Sequence, residues 1–208
     1  MGKITTLILI VLYSGANYAQ TKQNKQSCLQ LDIVLVGDLS GSVSGHEGEI
    51  SQAFIAFIDR FTLSDMGVRV GIVTFSDAAV IISPLSTNKP LLKQKILEFP
   101  YASGTTNLLG ALEASFNVLQ DTDGILVRDV PKLIIIVTDG VPDDPARAAA
   151  LSEQMQRILN IGICGILVQH SSSSGNYLDS ITSPFCRSIS TQNYGMLIDT
   201  MKQMDICL

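Results

Sequence analysis

Residues 31–42 read LDIVLVGDLSGS, an apolar run that stops at a loop with one carboxylate and two hydroxyls. The run from Leu31 to Gly37 is typical of a strand that is buried on both faces of a sheet. The loop that follows carries Asp38, Ser40 and Ser42. Because hard divalent cations prefer oxygen ligands of this kind, the stretch predicts a buried strand that ends in a metal-binding loop.

Two later segments supply further oxygen donors. Gly104-Thr105-Thr106-Asn107 precedes a helical pattern, and the apolar run Lys132–Thr138 is followed by Asp139-Gly140. Ligands of open α/β sheets bind beyond the carboxyl ends of the strands, and both Asp38 and Asp139 stand at such ends. We therefore expect three separate loops to converge on one pole of the molecule.

The rest of the sequence alternates between helix and strand patterns. Helices are predicted at Glu47–Phe61, Lys89–Glu98, Leu108–Gln120, Pro145–Asn160, Tyr177–Ile181 and Tyr194–Asp205. Further strands are predicted at Val68–Phe75, Ala79–Ile82, Leu133–Thr138, Ile161–Val168 and Arg187–Ser190. This alternation predicts an α/β fold, a Rossmann-like, doubly wound and mainly parallel sheet with helices on both faces. The stretch Ala79–Ile82, which follows a short turn, is predicted as one short antiparallel edge strand.

From about Leu29 to the C-terminus, the order and spacing of these motifs resemble the von Willebrand factor A domain. The metal-ion-dependent adhesion site (MIDAS) of that family combines Asp-x-Ser-x-Ser with a distant Thr and a distant Asp-Gly. The resemblance implies that the metal site consists of Asp38, Ser40, Ser42, Thr106 and Asp139. It assigns the two serines as direct ligands, the threonine as a direct or water-mediated ligand, and the two carboxylates as acceptors that hold coordinated waters.

The choice of Thr106 over Thr105 rests on the helix that follows. In the family, the threonine stands five residues before an Ala-Leu pair, and Ala111-Leu112 has this spacing from Thr106. Thr105 is the alternative ligand, and a threonine at either position would also suit a helix N-cap.

The resemblance implies a metal-dependent adhesion module and not an enzyme. Mg²⁺, with Mn²⁺ or Ca²⁺ as alternatives, would keep enough positive charge among hydroxyl ligands to bind an Asp or Glu of a partner protein. A structural domain with a vestigial metal site is one alternative, and a serine hydrolase is another. The sequence disfavours the hydrolase, because it lacks the Gly-x-Ser-x-Gly motif. The resemblance also suggests that the final helix shifts when the site is occupied.

The N-terminus predicts export. Residues 1–19 have the layout of a cleaved secretory signal peptide, residues 20–27 are predicted to form a disordered, polar lead-in, and residues 28–208 are predicted to form the domain. Since the apolar stretch is shorter than a membrane span, we expect a secreted protein, extracellular or periplasmic, without stable membrane insertion. The net charge of -5 and the absence of a basic run disfavour nucleic-acid binding.

The four cysteines suit an exported protein with disulfide bonds. Secreted modules that resemble this one often join their two ends, which favours a bridge from Cys28 to Cys207. For Cys164 and Cys186 the sequence allows two interpretations, a second disulfide bridge or two buried thiols. Asp143-Asp144 invites a second metal site, but a turn that caps the next helix is the favoured interpretation.

Overall fold

The computed structural model describes residues 30–120, 128–168, 177–186 and 188–206. Within these ranges, one sheet has the strand order β3-β2-β1-β4-β5-β6. The strands are β1 (Leu31–Asp38), β2 (Val68–Phe75), β3 (Ala79–Ser86), β4 (Lys132–Thr138), β5 (Ile161–Val168) and β6 (Ile189–Thr191). The α-helices are α1 (Glu47–Asp59), α2 (Lys89–Leu97), α3 (Leu108–Gln120), α4 (Pro145–Ile158) and α5 (Leu197–Gln203). Short 3-10 turns lie at Gly41–Val43, Leu178–Ser180 and Tyr194–Met196.

The sheet has the predicted topology. Strand β1 pairs in parallel with β2 and β4, β5 pairs in parallel with β4 and β6, and β3 runs antiparallel to β2 at one edge. The doubly wound, mainly parallel fold is therefore confirmed. Strand β3 continues beyond the predicted Ile82 to Ser86, through Pro84. An edge strand can include a proline because one side of its backbone needs no ladder partner.

Alternate residues of β1 pack against the helices on opposite faces of the sheet. Ile33 and Leu35 share a core with apolar residues of α1, α2 and α5. Val34 and Val36 share a second core with residues of α3 and α4. All four side chains are at most 1% exposed, and burial of each contributes roughly 1.5 to 3 kcal/mol. Burial on both faces explains why the strand sequences are continuous apolar runs.

A disulfide bond joins Cys164 of β5 to Cys186, and the two Cα atoms are 5.1 Å apart. The sequence allowed either a bridge or two buried thiols for this pair, and the structure has the bridge. The bond ties the segment before β6 to the sheet. The predicted bridge between Cys28 and Cys207 lies outside the described residues, as do the predicted signal peptide and lead-in.

The last helix is shorter than the predicted Tyr194–Asp205. A 3-10 turn occupies Tyr194–Met196, and the α-helix ends at Gln203. Arg60, which follows α1, donates hydrogen bonds to the carbonyls of Met201 and Met204, each at 2.8 Å. These bonds satisfy carbonyls at the end of α5 and fasten that end to α1. Within the described ranges, every helix is too short or too polar to cross a membrane.

A buried ion cluster lies at the start of β1 and β2, at the end of the strands opposite to the Asp38 loop. Arg69 of β2 donates two hydrogen bonds to the carboxylate of Asp32 of β1, from Nε at 2.8 Å and from a terminal nitrogen at 2.6 Å. Arg128 also donates to this carboxylate, and to the carbonyl of Gly67 at 3.0 Å. Asp32 is 1% exposed and Arg69 is 3% exposed. One buried carboxylate therefore accepts hydrogen bonds from two guanidinium groups.

Candidate metal centre

The ends of β1 and β4 bring the first and third predicted loops together. The two strands are parallel neighbours, and Gly37 pairs with Val137 at their carboxyl ends. Asp38 ends β1, and Asp139 follows β4 directly. Across this junction the Ser42 hydroxyl donates to Asp139 Oδ1 at 2.7 Å. A residue of the Asp-x-Ser-x-Ser loop is thus bonded directly to the aspartate of the Asp-Gly motif.

Asp38 lies completely buried at the base of the site. The backbone N–H of Ser40 donates to its Oδ1 at 2.8 Å, and the Thr138 hydroxyl donates to its Oδ2 at 2.5 Å. Burial raises the pKa of Asp38, and the hydrogen bonds from Thr138 and Ser40 oppose that rise. Within the described ranges, no basic side chain forms an ion pair with Asp38. The carboxylate is oriented by neutral donors, and a cation bound nearby would favour its ionised form.

The predicted hydroxyl groups lie beside these carboxylates. Ser40 Oγ is 3.1 Å from Ser42 Oγ, with Ser40 buried and Ser42 exposed. The N–H of Gly41 donates to the carbonyl of Gly104 at 3.0 Å, which ties the first loop to the threonine loop.

Thr106, half-buried, lies beside the Asp139-Gly140 turn. A Cβ added at Gly140 would be 3.6 Å from Thr106 Oγ1. The structure thus brings the five predicted residues to one pole, and their roles as metal ligands stay a prediction.

Thr105, the alternative ligand, uses its hydroxyl elsewhere. Its Oγ1 donates to Asp143 Oδ2 at 2.6 Å. Asp144 accepts the N–H of Arg147 at 3.1 Å and caps α4. The Asp143-Asp144 pair therefore makes the turn and the cap that the sequence favoured. Across the described residues, no group of three or more His, Cys, Asp or Glu side chains is placed to hold a metal ion.

Comparison with known families decides what kind of domain this is. A sequence model described as the von Willebrand factor type A domain matches residues 32–202. The chain belongs to this family. The match covers all three loops of the site and all of the described sheet except Leu31, so the predicted family resemblance is confirmed.

Sequence relatives of this A domain include Matrilin-3 of Mus musculus, which is 31% identical over 145 residues. The aligned region covers 66% of this chain and 29% of Matrilin-3. The chain spans between 20% and 29% of the length of the first curated relatives it matches. Their whole-protein activities and partners therefore extend beyond what this A domain shares with them.

Solved structures share the fold of this A domain. Proximal thread matrix protein 1 from the mussel byssus, with a zinc occupied MIDAS motif, superposes with a TM-score of 0.71 at 22% identity. The superposition covers 85% of this chain and 46% of the mussel chain. Manganese-loaded Plasmodium vivax TRAP protein superposes with a TM-score of 0.66 at 20% identity, covering 83% of this chain and 72% of TRAP.

Tyr194 contacts the site next to Asp139 without having been predicted there, and His46 packs on Tyr194. Tyr194, 2% exposed, lies just beyond the carboxyl end of β6, and the His46 ring stacks on it with centroids 4.4 Å apart. Burial, followed by the neighbouring Asp139, raises the pKa of Tyr194. The sequence predicted only surface placement for His46. Tyr194 begins the helical segment that follows β6, and a segment that follows a parallel strand begins at the same pole as the metal loops. This position in the chain is the signal from which Tyr194 could have been predicted near the site.

Glu47 supports the site from the first turn of α1. Its Oε1 accepts the N–H of Ala102 at 2.8 Å, and its Oε2 accepts the N–H of Gly45 at 3.0 Å. The hydrogen bond from Ala102 is the main reason that the pKa of Glu47 is lowered. The sequence predicted Glu47 only as a charge in the first helical turn. In the structure its carboxylate also joins the loop that contains Ser42 to the segment that precedes Thr106.

We expect Glu47→Gln to destabilise the A domain by about 1 kcal/mol at neutral pH, because a charged acceptor is lost. Since the folded-state pKa of Glu47 lies below its unfolded value, ionised Glu47 stabilises the fold above the unfolded pKa. That contribution disappears as the pH falls through the folded-state pKa. Urea unfolding across acid and neutral pH measures the difference, with the exposed Glu113→Gln as control. A difference that persists in acid would contradict the assignment.

Proposed function

We propose that this A domain is a secreted protein-binding module that uses a bound Mg²⁺ to capture an Asp or Glu side chain of a partner protein. Mn²⁺ and Ca²⁺ are alternative ions. The observation that carries the proposal is the hydrogen bond from Ser42 Oγ to Asp139 Oδ1, with Ser40 Oγ 3.1 Å from Ser42 Oγ. Two separate parts of the chain thereby bring two hydroxyls and a carboxylate together at one pole of the domain.

The oxygen groups of the site suit a cation that must remain able to bind a carboxylate of a partner protein. In the proposed arrangement Ser40, Ser42 and Thr106 supply hydroxyl oxygens, and the two carboxylates hold coordinated waters. Asp38 is 0% exposed and Asp139 is 7% exposed, whereas Ser42 is exposed. Both carboxylates, like Ser40, are therefore buried, and Ser42 is the hydroxyl that faces the solvent. When bound, the metal supplies a positive centre for an incoming carboxylate, which approaches from the Ser42 side without directly facing the buried aspartates.

The solved structures support the metal, and the predicted signal peptide supports the export. The mussel protein is a thread matrix protein whose MIDAS motif holds zinc, and the Plasmodium vivax protein is loaded with manganese. A divalent cation at the corresponding pole of this domain is consistent with those structures. The predicted signal peptide at residues 1–19 agrees with an exported matrix or surface role.

A binding role also suits the serine chemistry. The Ser42 hydroxyl donates to the carboxylate of Asp139 at 2.7 Å, and Ser40 Oγ lies next to Ser42 Oγ. A serine nucleophile is activated by an adjacent general base, most often a histidine held by a third group. The hydroxyls here are paired with each other and with a buried carboxylate, as ligands of a hard cation would be.

Two measurements, made one after the other, test the proposal. Calorimetric titration of Mg²⁺ and Mn²⁺ into the oxidised protein is expected to show saturable binding. A peptide-display selection is then run with Mn²⁺ and, in parallel, with a chelator. Metal-dependent binders are expected to contain an Asp or Glu whose replacement by Asn or Gln abolishes binding. A domain that binds neither ion would have a vestigial site, and peptide capture that survives the chelator would place the binding surface elsewhere.

A further inference from the structure

The threonine loop, residues 104–107, is held between two aspartates that the family motif does not include. On one side lies Asp77, in the turn between β2 and β3, whose Oδ1 accepts the N–H of Thr105 at 2.7 Å. On the other side lies Asp143, whose Oδ2 accepts the Thr105 hydroxyl at 2.6 Å and whose Oδ1 accepts the N–H of Thr106 at 3.2 Å. We call Asp77 and Asp143 the acidic clamp.

We propose that the acidic clamp positions the threonine loop so that Thr106 faces the metal while Thr105 serves as its anchor. The proposal rests on the function proposed above and adds two positioning residues to that site. It also assigns different tasks to two adjacent threonines that the sequence alone leaves as alternatives.

Asp143 forms three hydrogen bonds with the adjacent residues Thr105 and Thr106. Besides the two hydrogen bonds that its carboxylate accepts, its own N–H donates to the carbonyl of Thr106 at 3.1 Å. Three bonds to two successive residues leave the loop little freedom to rotate. A carboxylate suits this position because an ionised Asp only accepts hydrogen bonds, and the loop presents one N–H and one O–H donor. The Thr105 hydroxyl is thus bonded to Asp143, which is not one of the predicted metal ligands.

Asp77 fixes the beginning of the same loop. Gly104 has φ of +82°, and a Cβ added there would be 2.5 Å from Asp77 Oδ1. Only glycine combines this left-handed backbone with such a close carboxylate. The carbonyl of Asp77 also accepts the side-chain amide of Asn107 at 3.0 Å. The β2–β3 turn thus holds both ends of the loop while Asp143 holds its centre.

The clamp acts on the metal through Thr106. Thr106 Oγ1 lies close to Gly140, on the side of the loop that meets the Asp139-Gly140 turn. Groups that orient metal ligands typically contribute 10- to 100-fold to metal affinity, roughly the effect expected here. If the clamp contributed only negative charge, an uncharged side chain of the same shape would lose as much affinity as alanine.

The test compares Asp143→Ala with Asp143→Asn by calorimetric titration of Mn²⁺ and by amide hydrogen exchange of the metal-free protein. We expect the alanine variant to bind Mn²⁺ about 10- to 100-fold more weakly and to exchange the Thr106 amide faster. The asparagine variant should remain close to wild type, since its amide oxygen can accept the N–H of Thr106 while its NH₂ donates to the Thr105 hydroxyl, which can accept as well as donate. Equal losses in both variants, or an alanine variant that binds like wild type, would overturn the clamp.

A pair of matched substitutions separates the two threonines and does not depend on the alanine variant folding. Thr106→Val should remove a ligand and abolish binding, whereas Thr105→Val should only weaken it, because valine keeps the shape of threonine but lacks its hydroxyl. The reverse order would overturn the assignment. A wild-type protein that binds no Mn²⁺ would overturn the proposed function itself. Amide exchange in the Asp143 variants would then still decide whether the clamp holds the loop.

Discussion

Asp32→Ala is expected to lower the free energy of unfolding by about 3 to 5 kcal/mol. Asp32 is the carboxylate that accepts hydrogen bonds from both Arg69 and Arg128. Without Asp32, the guanidinium of Arg69, which is 3% exposed, loses two hydrogen bonds to a carboxylate and stays buried. Removing one partner of a buried ion pair costs far more than the pair itself contributes, because the remaining charge cannot regain its hydration.

Urea unfolding followed by circular dichroism measures the loss, with the exposed Asp129→Ala as the matched control for charge. A double variant, Asp32→Leu with Arg69→Met, should recover much of the stability, since apolar residues of similar volume often replace buried ion pairs at little cost. Arg128 keeps its hydrogen bonds to the carbonyls of Gly67 and Asp65. A single variant within about 1 kcal/mol of wild type would show that the cluster is hydrated.

The ion cluster illustrates a signal that the sequence carries outside the metal-site motifs. Asp32 and Arg69 are charges at the start of two otherwise apolar strands, and they pair directly in the β1–β2 register. A charge inside a strand that is buried on both faces needs a partner, so the two could have been matched once β1 and β2 were placed side by side. Arg128 offered no such signal, because it approaches from outside the strands.

The fold was predictable because its signals are long and local. Strands β2 and β5 coincide with their predicted ranges, since apolar runs buried on both faces give an unambiguous pattern. The helix predicted at Tyr194–Asp205 begins instead as a 3-10 turn capped by the Asn193 side chain, which accepts the N–H of Met196 at 3.2 Å. Its end is set by packing and by Arg60, which are tertiary effects that local periodicity does not record.

The candidate site was predictable only as far as the motif reaches. Asp38 and Asp139 follow from their places at the ends of two strands, and the structure brings both to one pole. Asp77, Asp143 and Tyr194 depend on how distant loops fold over each other. A lone Asp in a turn is ordinary turn chemistry, so its contact with the threonine loop could not be read from spacing.

Asp139→Asn is expected to abolish metal binding without destabilising the metal-free domain. The amide keeps an oxygen to accept the Ser42 hydroxyl, which now donates to Asp139 Oδ1 at 2.7 Å. It removes one of two buried negative groups, and the proximity of Asp139 is one reason that the pKa of Asp38 is raised. Since the amide keeps that hydrogen bond and removes the repulsion between two buried carboxylates, the metal-free fold should be as stable as wild type, or more so.

Thermal unfolding with and without Mn²⁺ separates the two effects. A ligand that binds only the folded state stabilises it by about 2.7 kcal/mol at a concentration of 100 times its Kd. Wild type should therefore gain stability when Mn²⁺ is added, and Asp139→Asn should gain none. Asp144→Asn is the matched control, because it removes a nearby negative charge from a helix cap that asparagine fills equally well. If both variants lost the Mn²⁺ response equally, the response would depend on the net charge of the pole. Loss in Asp139→Asn alone, with metal-free stability unchanged or raised, would mean that this buried carboxylate is retained for metal binding and not for the stability of the fold.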